Sequence, residues 1–85
     1  MKIVFDKRTE ATAEIFGESH KFFMPNVMQH GDYEDGIVGK DGKEIYQLTY
    51  NYLDSLGIPK ESTKKLELDQ LLELVRFISM GGKKK

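Results

Sequence analysis

The side chains with chemical potential gather in three places. His30, Asp32, Glu34 and Asp35 set an imidazole and three carboxylates close together, a donor set suited to a divalent ion. A calcium loop of the EF-hand kind needs oxygen ligands at its first, third and fifth positions and glycine at its sixth. Placing Gly36 at the sixth puts Gly31 at the first and removes that ligand. Zinc needs three or four converging ligands, and this chain has no cysteine and only two well-separated histidines, His20 and His30. Ser19 and His20 are a nucleophile and a base, but neighbours on a strand point to opposite faces. Gly36-Ile37-Val38-Gly39-Lys40 is short of a P-loop by two residues between its glycines, and Asp41 replaces the hydroxyl residue that would meet magnesium. The RNA-clamping GxxG loop of a KH domain joins two helices, and the sequence predicts no helix before Gly36. No nucleophile, base and orienting group assemble. The expectation is a non-enzymatic chain with no catalytic residue, no metal site and no cofactor.

The elements that carry these residues fall into two halves. Lys2-Ile3-Val4-Phe5 is β-branched and apolar; Ala11, Ala13 and Ile15 alternate with Thr12, Glu14 and Phe16; His20-Lys21-Phe22-Phe23-Met24 returns after turn chemistry at Gly17-Glu18-Ser19, and Pro25 stops it. These segments predict an antiparallel meander or hairpin. Residues 26–42, with four glycines and an acidic stretch around Tyr33, predict a loop. From Lys43 the period becomes helical: Ile45, Leu48, Thr49, Tyr52, Leu53 and Leu56 share a face, and Gly57 with Pro59 behind it ends the helix. A helix over about 43–56 follows, then a short turn at Pro59, then a second helix over about 69–80 with Asp69 as N-cap and Gly81-Gly82 as its end. The predicted fold class is α+β: an N-terminal antiparallel β-meander or hairpin packed against two C-terminal helices. Residues 1–82 form one domain and residues 83–85 a basic flexible tail.

Composition narrows the function classes. With 85 residues and 9.8 kDa there is room for one small core. No cysteine means no disulfide and no thiolate chemistry. No apolar run approaches the length of a transmembrane helix or of a secretory leader's core, so a cytoplasmic chain without membrane contact is expected. The formal charge is −1, and without Lys83, Lys84 and Lys85 it is −4. An acidic body matches a phosphate backbone poorly, which counts against nucleic acid as a partner.

Interaction surface remains. On the last helix Leu74, Ile78, Leu71, Val75, Leu68 and Leu72 span an arc of about 160°, wider than one packing partner covers. Phe77 lies outside that arc. Tyr46 and Tyr50 flank the stripe of the 43–56 helix, and tyrosine suits interfaces that are apolar at one end and wet at the other. Tyr46, Tyr50, Leu74 and Phe77 are therefore the candidate partner-binding residues; lapping over the domain's own core is the plainer reading of the tyrosines, and packing under the 59–66 connection that of Phe77. A protein partner is expected, and so is association between copies.

The second half has a familiar layout: a helix, then Leu56-Gly57-Ile58-Pro59, a charged connection, the leucine-rich acidic segment Leu66-Glu67-Leu68-Asp69-Gln70-Leu71-Leu72-Glu73-Leu74, and Gly81-Gly82-Lys83-Lys84-Lys85. Over residues 43–85 this resembles the small tail assembly chaperones of long-tailed bacteriophages. The resemblance implies a non-enzymatic protein that binds the tape measure protein, a long helical chain, and keeps it soluble in the host bacterial cytoplasm until the tail tube polymerises. It brings no catalytic residues. The alternative is a small phage or bacterial regulatory protein that binds a protein or nucleic-acid partner.

Overall fold

A computed structural model describes residues 1–5 and 7–81, so the basic tail expected at 83–85 lies outside the described residues. The fold is α+β: a two-stranded antiparallel hairpin followed by helices. Strand β1 (Glu10–Ile15) pairs with β2 (Glu18–Phe23), with Ala11 opposite Phe22, Ala13 opposite His20 and Ile15 opposite Glu18. The period of two turns Ala11, Ala13, Ile15, His20 and Phe22 inward and leaves Glu10, Thr12 and Glu14 exposed. Phe16 (φ 47°) and Gly17 (φ 88°) make the two-residue turn, both left-handed as a type I′ hairpin requires.

The phase of the ladder follows from one bond. The Met24 N–H donates to the Thr9 carbonyl at 2.9 Å, across the next pair in the same register. Hydrogen-bonded and non-bonded pairs alternate in an antiparallel ladder. Ala11, Ala13 and Ile15 therefore spend their backbone groups on β2, while Glu10, Thr12 and Glu14 point theirs away from it.

Two expectations are corrected. Residues 2–5 add no third strand: the sheet has two strands and Ile3, Val4 and Phe5 are exposed. The chain entering β1 is held toward β2 instead. The Arg8 guanidinium donates to the Met24 carbonyl at 3.0 Å and to Gln29 Oε1 at 3.4 Å, and it lies 5.1 Å from the Phe23 ring centroid. Residues 26–42 are not one loop: α1 runs Val27–Ile37, and a four-residue link, 38–41, joins it to the next helix. The expected absence of a helix before Gly36 therefore no longer counts against a GxxG clamp there. Asn26 opens α1, accepting from the Gln29 N–H at 2.8 Å while Gln29 Oε1 accepts from the Asn26 N–H at 3.0 Å. That capping box fixes the first turn, but no residue of α1 is fully buried. A helix without an apolar stripe leaves no period to read.

The second half agrees with its pattern. Helix α2 spans Gly42–Leu56, capped by Asp41, whose carboxylate accepts from the Glu44 N–H, and by Gly57 in the left-handed region at φ 119°. A single turn, α3 (Lys60–Thr63), leads to α4 (Leu68–Ser79). The N-cap of α4 is Glu67 rather than Asp69, because the Gln70 side chain reaches back to accept from the Glu67 N–H at 2.9 Å. The core joins both halves: Ile15 and Phe22 from the hairpin, Tyr52, Leu53 and Leu56 from α2, Ile58 from the corner, Leu71 and Ile78 from α4. No described helix is long and apolar enough to cross a membrane.

The corner at Gly57 is the tightest contact between the halves. A Cβ placed there would stand 2.9 Å from the Lys21 carbonyl oxygen and 3.3 Å from the Phe22 Cα. Gly57→Ala must strain both φ and that contact, and is expected to lower unfolding free energy by about 1–3 kcal/mol. Gly31→Ala, inside α1 with open space around it, is expected to raise it by about 0.5–1 kcal/mol. Urea midpoints of the two variants check both signs.

Candidate functional site

Three constellations can be built from the described residues upward; the first borders a shallow cleft of about 250 Å³ and the third a larger groove. The first lies between α1 and α2. Tyr33 stacks on Tyr52, ring centroids 4.3 Å apart and planes 10° from parallel. Thr49 gives its hydroxyl proton to the Ile45 carbonyl at 2.7 Å, so the Tyr33 hydroxyl donates to Thr49 Oγ1 at 2.8 Å. His30 Nδ1 meets the Tyr52 hydroxyl at 2.9 Å, and Glu34 Oε1 lies 3.4 Å from His30 Nε2. The carboxylate favours the proton on Nε2, leaving Nδ1 to accept from Tyr52. Burial first, then the neighbouring Tyr33 and Glu34, pushes the Tyr52 phenol up to about 12. This cluster replaces an apolar seam with satisfied hydrogen bonds. The acidic residues around it do not converge: among the described residues no three His, Cys, Asp or Glu side chains are gathered where they could hold an ion.

The second constellation ties α3 to the hairpin. His20 does not meet Ser19; it meets the buried Ser62, Nε2 to Oγ at 2.9 Å. Glu18 Oε2 lies 3.8 Å from the same nitrogen, and Lys65 Nζ lies 3.7 Å from Glu18 Oε1. In a nucleophile–base–orienter relay the serine and the carboxylate address different ring nitrogens. Here both address Nε2, so the imidazole cannot pass a proton from one to the other. The pair is a strut between elements far apart in the chain. Nothing local in the sequence points to Ser62 as its partner.

The third is a groove of about 820 Å³ between β1 and α4. Leu74, Phe77 and Met80 of the α4 side face Thr12, Glu14 and Ile15 across it, with Phe16 at the hairpin end and Glu73 and Arg76 lining it. Of the four candidate partner-binding residues, Leu74 and Phe77 come together here. Tyr46 and Tyr50 do not line the groove; they sit half-buried against the core. Leu68 and Leu72, at one border of the wide apolar arc, are exposed.

Phe16 was not among the candidates, and its position is unusual. It is 63% exposed, it lines the groove, and it is the one described non-glycine residue with positive φ. Asn or Gly suits that turn position better. The strand alternation that predicted Phe16 as a strand residue hid this.

Comparison of the chain with protein-family models, curated proteins and solved structures finds no match.

The Tyr52 phenol predicts an alkaline limit to stability. Its folded pKa lies above the usual 10, so its contribution is complete below pH 10 and is lost as pH rises toward 12. The loss is on the order of 2 kcal/mol. Phenolate absorbance against pH is expected to show one of the four tyrosines titrating late, and Tyr52→Phe is expected to remove that late step.

Proposed function

We propose that this chain is a non-enzymatic protein-binding domain that takes an apolar segment of a partner in the groove between β1 and α4. Phe16 carries the reading. A large aromatic at a left-handed turn costs the hairpin about 1 kcal/mol, and it is too exposed to return that through the core. Its position is understandable if a partner covers it. Beside it, Leu74 and Phe77 offer an apolar floor, with Glu73 and Arg76 as charges along the border. Interfaces of this kind combine an apolar centre with a polar rim.

The client we assign follows the layout of residues 43–85. As a tail assembly chaperone, the domain would cover apolar helical stretches of the tape measure protein until tube subunits replace it. A helix laid into a groove presents anchors one and two turns apart, and Leu74, Phe77 and Phe16 would receive them. No covalent step is involved; exclusion of water from both apolar surfaces is the whole mechanism.

Two variants separate this role from a structural one. Phe16→Asn is expected to stabilise the free domain by about 0.5–1 kcal/mol and yet to weaken client binding at least ~10-fold. A packing residue would move both in the same direction. Phe77→Asp is expected to abolish protection of a co-expressed tape measure protein from precipitation. Client solubility unchanged in both folded variants would sink the proposal.

A further inference from the structure

The two edges of the hairpin are treated differently. On the outer edge of β2 the Gly57 corner approaches the Lys21 carbonyl. The outer edge of β1 is open. Glu10, Thr12 and Glu14 point their N–H and C=O groups away from β2, all three are exposed, and the sheet stops there. The apolar groove over Leu74 and Phe77 runs beside this edge. An open edge next to an apolar groove receives an extended segment: main-chain hydrogen bonds hold it, and alternate side chains enter the groove.

The same chain carries a segment of that kind. Lys2-Ile3-Val4-Phe5 has strand-forming composition and no strand partner, and its apolar side chains are 73%, 61% and 91% exposed. We propose that residues 2–5 of a second copy add to β1 as a third strand. The period of two then turns Ile3 and Phe5 onto Leu74 and Phe77, and Lys2 and Val4 to the face that carries Glu10 and Glu14.

Three observations select this occupant. The first is charge. Lys2 is the one charge within the segment, and Asp6 and Lys7 after it offset each other. The β1 edge that Lys2 would meet presents Glu10 and Glu14, with Glu73 and Arg76 in the groove. Pairing β1 directly with β1 of another copy would crowd four glutamates along one seam, which disfavours that association. The second is the tether. Arg8 is bound to Met24 and Gln29 and lies over Phe23, on the β2 side. To fold back onto its own β1 edge the segment would have to reverse within residues 6–8, with Thr9 already bonded to Met24 and the Arg8 guanidinium held at Met24 and Gln29. A second copy's segment needs no such turn. The third is closure. Reciprocal exchange satisfies both open edges and ends at a two-fold dimer, turning each two-stranded sheet into a three-stranded one. The segment and a client would use the same Leu74 and Phe77, so a client would have to displace the segment; the dimer itself is tested without any client.

Sedimentation equilibrium on the full chain tests it without any client. The expected result is a dimer of the 9.8 kDa chain that dissociates in the ~1–100 µM range. Ile3→Asp with Phe5→Asp, a double variant at residues that touch no core, is expected to weaken it at least ~100-fold. Thr12→Pro removes only an outward N–H, spares the ladder to β2, and is expected to do the same. Circular dichroism and urea midpoints establish that each variant is folded; should Thr12→Pro not fold, the double variant decides alone. A full chain that stays monomeric up to ~1 mM overturns the proposal. So does a dimer that survives the double variant, or one that survives a folded Thr12→Pro.

Discussion

The fold is organised around a place where no side chain fits. At Gly57 the end of α2 comes so close to β2 that even a methyl group would collide with the Lys21 carbonyl. That approach lets Ile58 drop into the core beside Leu53 and Phe22, all three essentially without solvent contact. It also sets where α3 begins, and so brings Ser62 to His20. A small domain without disulfides has few contacts between distant parts of its chain. Here the close approach at Gly57 stands beside the His20–Ser62 bond and the shared core in joining the hairpin to the helices.

The two sides of the hairpin differ. The corner meets β2 at Lys21 and Phe22, while on the other side of the hairpin the groove runs beside β1. The glutamates on β1 keep the open edge from pairing with its own kind, but they leave it receptive to a basic, apolar strand. Phe16 and Phe77 stand at the same surface. Apolar exposure also occurs elsewhere, at Val27, Met28 and Val38, but at the β1 edge it stands beside unpaired main-chain groups, so hydrogen bonding and burial can act together there.

How much of this was legible in the sequence depends on which force builds each element. Helix α2 was readable because its stripe is apolar and its ends carry Asp41 and Gly57, each with a local physical reason to be there. Helix α1 was not, because it docks through His30 and Tyr33, whose hydrogen bonds to Tyr52 and Thr49 leave no hydrophobic period. The 2–5 segment has the composition of a strand, but composition names no partner, and the sheet has two strands without it. The same division runs through the site. The excess apolar width of α4 pointed to Leu74 and Phe77, and both line the groove. Tyr46 and Tyr50 have interface chemistry but lean on the core. Phe16 could be recognised only once the turn's dihedral angles were known.

The polar seam between α1 and α2 bears on how the molecule opens. Helix α1 buries none of its own residues completely, so releasing it uncovers chiefly the Tyr52 ring and exchanges a few hydrogen bonds and that ring stack for water. Such a unit detaches at a fraction of the free energy needed to unfold the rest. The hairpin, α2, the Gly57 corner and α4 share one core and come apart together. The domain therefore has two levels of cooperativity: amide protons of α1 exchange with solvent through a shallow local opening, while those of β2 and α2 wait for global unfolding.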